Sequence, residues 1–189
     1  MNEHEKTEAR ALVRRLIELV GDDPGREGLL RTPQRVVDSW SELYSGYEDD
    51  CARYSVVFDS ECDDVVLLTD IEFFSTCEHH MLPFHGHANI AYIPDSNKVL
   101  GVSKLARIVN AKARKLQIQE RLTREIAQSI EDAATPKGVL VTVSAAHLCM
   151  VARGTRQHNT KMVTSHVTGV FREDAAARAE VFSLINYPK

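Results

Sequence analysis

No apolar run in this 189-residue chain is long enough to span a bilayer. The opening residues, Met1-Asn2-Glu3-His4-Glu5-Lys6, lack the apolar core of a secretory signal, so the chain is expected in the cytoplasm, without membrane attachment. Basic residues are not in excess. Lys and Arg number 23 against 27 Asp and Glu, a formal net charge of −4, which argues against a global footprint for nucleic acid. Cysteine is scarce too. The four, at 51, 62, 77 and 149, are spaced too irregularly for a disulfide framework, and a reducing compartment makes metal the more natural use for thiols. Internal repeats and low-complexity tracts are lacking. What is present is 43% hydrophobic residues, enough for a proper core in one domain, or in one domain plus an appendage.

Chemistry-bearing residues concentrate in two stretches. Seven of the eight histidines follow residue 78. Cys77 and His80 form a C-x2-H pair that one turn can fold around a metal ion, and Cys149 can add a third ligand from another element. His147 stands two residues before Cys149, so on a strand both side chains point to one face. His79 and His147 then lie beside the metal, outside a minimal ligand set of three. A closed structural site wants four protein ligands, whereas three plus an open position is the catalytic arrangement. Packing is the competing reading, with Cys149 simply buried in an apolar strand. As a set, these residue types at these spacings point to zinc.

Taken in order, the first half-hundred residues read as helical. Leu12, Leu16, Leu19 and Val20 make a stripe, and Gly21-Asp22-Asp23-Pro24-Gly25 ends it. Thr32-Pro33 starts a second helix, with Thr32 as N-cap and an apolar side of Val36, Val37, Trp40, Leu43 and Tyr44. From Val65 the pattern changes to strands. These are Val65 to Phe74, Gly86 to Ile93, Val139 to Val151, and Met162 to Phe171. On the third, Val139, Val141, Val143, Ala145, His147, Cys149 and Val151 are expected to share a face. Two helices occupy 103–134. Leu105, Ile108, Val109 and Leu116 stripe the first, and Leu122, Ile126, Ile130 and Ala134 the second. A short helix over Ala175 to Ile185 closes the chain. The expected architecture is therefore α+β: a helical appendage over 1–60, then a body over 61–189 in the order β-β-α-α-β-β. That body is a four-stranded antiparallel sheet with two helices on one face. Its open edges and bare face predict a symmetric oligomer.

Ser103 is expected to cap the first of these helices, with Lys104 and Arg107 in its first turn. Two cations at a helix N-terminus oppose the dipole unless an anion binds there. A basic solvated face is the alternative. Arg153 can add another cation. Glu120, at the start of the next helix, is explained by the dipole alone, yet a carboxylate accepting two N–H donors is also what a guanine edge requires.

The longer motifs resemble a known family. Cys77-Glu78-His79-His80, Tyr92-Ile93-Pro94, Gly101 through Val109, Gln117 through Thr123, His147-Leu148-Cys149-Met150 and Ala152-Arg153-Gly154 are similar to GTP cyclohydrolase I, as are Thr32 through Val36 and Gly169-Val170-Phe171. The resemblance runs in order from about Leu12 to Ile185. It implies the tunnelling fold and a homodecamer of two pentamers with interfacial active sites. It also implies conversion of GTP and water to 7,8-dihydroneopterin triphosphate and formate, the entry to tetrahydrofolate and pterin synthesis.

By match of motif, Cys77, His80 and Cys149 would bind Zn2+, with His79, His147 and Ser103 as the proton-handling groups. Lys104, Arg107, Arg153 and Arg35 would meet the triphosphate side, Glu120 the guanine, and Gln119 would join the substrate-binding set. Asp38 departs from the pattern, standing where the family often has a lysine. Met162 replaces a common threonine, and His158 and His166 receive no role. Two other functions compete. A related enzyme acting on a pterin or deazapurine would carry three histidines or a lone nucleophilic cysteine. A zinc-stabilised binding module would need a fourth ligand, for which Cys62 is the spare thiol.

Overall fold

Asn2 opens the first helix, α1 (Glu3–Leu19), through a reciprocal cap. Its side chain accepts from the Glu5 N–H at 2.9 Å, and the Glu5 carboxylate accepts from the Asn2 N–H at 2.7 Å. Gly21, at φ 95°, turns the chain out of it. The second helix, α2 (Thr32–Leu43), has Pro33 in its first turn, but its N-cap is Arg31 and not Thr32. The computed structural model describes residues 1–186 and separates into two compact units, Met1–Ser45 and Gly46 onward.

In the first unit Ala9, Val13 and Val37 are buried, with Ile17, Val36 and Trp40 packed around them. The stripe expected on α1 is thus not the face that α1 uses here. Leu12, Leu16 and Leu19 are 64%, 58% and 66% exposed. A helix with two apolar sides offers both, and the Ala9–Val13–Ile17 row, four apart, is the one that meets α2.

The second unit is built on a sheet of order β5-β2-β3-β6-β7. The strands are β2 (Val66–Cys77), β3 (Pro83–Ile93), β6 (Gly138–His147) and β7 (Met162–Val167), all antiparallel neighbours, and a two-residue β5 (Leu116–Gln117) parallel to the end of β2. A separate ribbon pairs β1 (Val57–Asp59) with β4 (Lys98–Leu100). Helices α3 (Val102–Ala113) and α4 (Gln119–Ala134) lie between the second and third main strands. From β2 to β7 the four main strands and two long helices therefore follow the expected β-β-α-α-β-β order. The fifth strand is additional. Leu116, expected on a helical stripe, belongs to it, because α3 stops at Ala113.

Helices α3 and α4 cover one face. Leu105, Ile108, Val109, Leu122, Ile126 and Ile130 join Phe73, Phe84, Ile90, Val141 and Val143 in one core. Truncating any such aliphatic to Ala costs about 2–5 kcal/mol. The opposite face is partly covered, not bare: Phe171 of α6 (Val170–Glu173) and Val181 of α7 (Ala175–Ile185) pack on Ala91 and Leu140. Phe171 was expected on a strand, but the strand ends at Val167 and Gly169, at φ 49°, redirects the chain.

Strands β3 and β6 approach closely where the candidate site begins. A Cβ on Gly86 would sit 1.9 Å from the Ser144 carbonyl, so this position admits no side chain. The same register places Phe84 opposite His147 at the end of β6.

Candidate metal centre and active site

Cys77 ends β2, and the next residues turn at once. The Met81 N–H donates to the Cys77 carbonyl at 2.8 Å, and the Cys77 N–H to the Leu82 carbonyl at 2.9 Å. Met81 takes φ 53° within this turn. The turn is tied to β5, since the Glu78 N–H donates to the Gln117 carbonyl at 3.0 Å. Cys149 arrives by a route that differs from expectation. Strand β6 stops at His147, and Leu148–Val151 form a single helical turn, α5. Val139, Val141, Val143 and Ala145 do share the core face, but Cys149 has left the strand.

The three candidate ligands converge. One ligand atom from each of Cys77, His80 and Cys149 lies within 4.8 Å of the others. Tetrahedral zinc with ordinary Zn–S and Zn–N bonds separates its ligand atoms by about 3.5–3.8 Å, so closure asks for side-chain shifts of about 1 Å. Burial pushes the Cys149 thiol up, and the Cys77 sulfur beside it pushes it further, with Arg153 opposing. A divalent cation between the sulfurs would relieve that repulsion and stabilise both thiolates. The donor set fits a metal ion. No fourth His, Cys, Asp or Glu, Cys62 included, joins the group among the described residues.

The surrounding groups are arranged around His147. Its ring stacks on Phe84, with centroids 4.6 Å apart and planes 3° off parallel, and its Nε2 lies 2.9 Å from Gln119 Oε1. Burial pulls the His147 pKa down and the Glu120 charge pulls it back up, which puts that carboxylate within electrostatic reach of the imidazole. Arg153 Nη1 donates to His80 Nε2 at 2.7 Å. His79 is exposed, its ring 6.4 Å from that of His80 at 88°.

The Gln119 side chain is held within the fold. It is 1% exposed, and its Nε2 faces the Val143 carbonyl at 3.0 Å, the Met162 carbonyl at 3.0 Å and Thr164 Oγ1 at 3.1 Å. Met162 itself meets this amide through its backbone only. Ser103, Lys104 and Arg107 stay together at the start of α3. The cap there is Gly101, and Ser103 makes no capping bond. Lys104 is half-buried and Arg107 exposed, and neither pairs with a carboxylate among the described residues. Arg35 is exposed on α2 in the first unit, where Gln34 Nε2 holds the Asp38 carboxylate at 2.6 Å. His166 sits half-buried on β7.

The sequence pattern that defines GTP cyclohydrolase I matches residues 9–186. The chain belongs to the GTP cyclohydrolase I family. It is 49% identical over 186 residues to GTP cyclohydrolase 1 of Bacillus subtilis (strain 168), covering 98% of each chain. It is 51% identical over 174 residues to GTP cyclohydrolase 1 of Geobacillus kaustophilus (strain HTA426), covering 92% of this chain and 93% of that one. Among solved structures it is similar to the archaeosine synthase QueF-Like in the apo form, at TM-score 0.45 and 19% identity over 56% of this chain and 93% of that one. That likeness is too remote to add to the family assignment.

Several residues of this GTP cyclohydrolase I family member escape sequence reasoning. Phe84 forms the floor under His147, and its signal is the register of β3 against β6, which periodicity alone does not reveal. Thr164 and Thr123, 2.7 Å apart, hold the far side of Gln119. Glu78, between Cys77 and His80, pairs with Arg121.

Proposed function

We propose that this protein is a zinc-dependent GTP cyclohydrolase I, opening the imidazole ring of GTP, releasing formate and forming 7,8-dihydroneopterin triphosphate. The observation that carries the reading is the convergence of Cys77, His80 and Cys149 within 4.8 Å, two residues from His147. Two thiolates and an imidazole suit zinc; Cys77, His80 and Cys149 would hold the ion, which would supply Lewis acidity toward water.

The rest of the chemistry falls to the chain's own groups. Ring opening needs a proton delivered to nitrogen 7 as water adds to carbon 8. Histidine suits the delivery because its ordinary pKa lies near working pH. His147 is held for it between Phe84 and Gln119, and exposed His79 is the second proton-handling group, with the Ser103 hydroxyl assisting. Glu120 accepts the two N–H donors of the guanine edge. Lys104 and Arg107 take the triphosphate near the start of α3, where the helix dipole adds to the two cations. Arg153 adds to that side, and Arg35 is assigned to the triphosphate by match of motif alone.

The product enters tetrahydrofolate and pterin synthesis in the cytoplasm. No helix among the described residues is long and apolar enough to cross a membrane. Assembly into a decamer of two pentamers is supported by the exposed Leu12, Leu16 and Leu19 of α1 and by β7, an edge strand with Val163 67% exposed. The test is incubation of the zinc-loaded protein with GTP, following pterin fluorescence and formate together. Equal release of the two is expected, and unchanged GTP would overturn the assignment.

A further inference from the structure

Between the two ligands of the C-x2-H turn stands Glu78, whose carboxylate forms an ion pair with Arg121. Ion pairs at an exposed surface contribute little, but the surroundings of this one are not those of a free surface pair. Its side chains are 33% and 32% exposed, so about two-thirds of each is covered. The guanidinium is also fixed from other sides. Arg121 Nε donates to Gln117 Oε1 at 2.8 Å, and Nη2 to the Leu116 carbonyl at 3.1 Å.

Gln117 cannot yield. It is 1% exposed, and its Nε2 donates to the Lys112 carbonyl at 3.1 Å and to Glu125 at 2.9 Å, which leaves Oε1 facing Arg121. Glu125 is held in turn by Lys115 at 3.3 Å. Arg121 is therefore a donor held in place on one edge, and the Nη2 of that edge also reaches Glu78 in the Cys77–His80 turn. It also follows Gln119 and Glu120 directly, at the head of the helix whose first residue fixes His147. On the same side lies an open cavity of about 620 Å³ lined by Tyr47, Asp49, Glu78, Lys115, Arg121 and Glu125 among others, and not a packed core.

We propose that the Glu78–Arg121 pair is a strut that positions the Cys77–His80 turn on the head of α4, setting the metal ligands against the residues that hold the base and His147. The inference rests on the reading of Cys77, His80 and Cys149 as ligands. Glu78 and Arg121 are positioning residues, which touch neither metal nor substrate. Their influence is on the geometry of ligands one and two residues away, as for other groups that orient metal-binding side chains.

The test measures zinc affinity of the full-length protein by competition with a chromogenic chelator, for Glu78→Gln, Arg121→Ala and the double variant. Each single change is expected to lower zinc affinity about 10- to 100-fold, and the double variant no more than the larger single loss. The KM for GTP should stay near the parent's while kcat falls. The reversed pair, Glu78→Arg with Arg121→Glu, should recover part of the affinity. Parental zinc affinity in both singles, or losses that add, would overturn the strut, since a pair serving only stability would move the unfolding midpoint and leave metal affinity alone. Glu78→Gln is close to isosteric and decides the matter if Arg121→Ala does not fold. Cys149→Ser is measured alongside. If it keeps zinc as well as the parent does, the ligand reading itself has failed, and the strut with it. If it loses zinc while the Glu78 and Arg121 variants keep theirs, only the strut has failed.

Discussion

Gln119 Oε1 lies 2.9 Å from His147 Nε2, and the Gln119 amide cannot be turned over. Its nitrogen faces two backbone carbonyls, of Val143 and Met162, which accept and never donate. The amide oxygen must therefore face the imidazole, and His147 Nε2 must be the nitrogen that carries hydrogen. Nδ1 is left as the atom that takes up or gives a proton. A buried glutamine thus selects the tautomer of a histidine on another element.

Gln119→Leu should lower both stability and turnover. The change leaves two carbonyls and the His147 N–H without their partner, at about 1–3 kcal/mol for a buried group so orphaned. Denaturant unfolding reads the first effect and pterin formation the second, while zinc content should stay that of the parent. Parental turnover in a folded Gln119→Leu protein would remove the glutamine from the chemistry.

Cys149→Ser and His147→Gln should separate ligand from proton carrier. A hydroxyl replaces thiolate poorly at zinc, so the serine variant is expected to lose metal and ring opening together. The glutamine variant should keep about one zinc per chain, with turnover lowered about 10²–10⁴-fold. Metal analysis of the two purified variants decides before any kinetics. Loss of zinc from His147→Gln would make the imidazole a fourth ligand and the centre a closed one.

Lys104→Ala and Arg107→Ala should weaken binding of GTP far more than binding of guanosine. Lys104 sits in the first turn of α3 and Arg107 in the second, and neither has a carboxylate partner among the described residues. Loss of one charge-assisted contact to phosphate should cost about 1.5 kcal/mol, the low end of the range because the site is open to water. Equal losses for nucleoside and nucleotide, measured by titration calorimetry, would assign the pair to structure.

Acid should destabilise the fold through His166. Burial, with Arg172 and Arg124, holds its pKa below the ordinary histidine value, against a smaller opposing pull from Glu131. Below about pH 6.5 the unfolded chain takes the proton more readily than the folded one. The contribution of His166 is therefore complete above that pH and is lost as pH falls through the depressed folded value. Between pH 7.5 and 5.5 the unfolding midpoint of His166→Gln should drop less than that of the parent. Identical drops would show that His166 titrates alike in both states.

Much of this was legible in the residues alone. The helical stripes of α3 and α4 bury where periodicity places them, because Leu105, Ile108, Leu122, Ile126 and Ile130 recur at 3.6-residue spacing against a sheet. The C-x2-H turn was equally readable, since Cys77 and His80 lie three residues apart and need only a local bend to converge. The face of α1 was not. Leu12, Leu16 and Leu19 make as good a stripe as Ala9, Val13 and Ile17, and a helical wheel does not say which one meets a neighbour. The end of β6 was also hidden: alternation continues in sequence through Cys149 and Val151, while the backbone turns helical after His147.

By itself, then, the sequence determined which chemistry the chain carries, because residue type and local spacing set what two thiols, an imidazole and a run of cations can bind. It also determined the α+β order, because hydrophobic period is a local property. Only the tertiary structure decided how Cys149 reaches Cys77, that the Gln119 side chain meets His147, and that Arg121 pairs with Glu78 in the Cys77–His80 turn. Those relations join residues tens of positions apart, and they depend on strand register and on which buried donors are already satisfied. No local pattern encodes either.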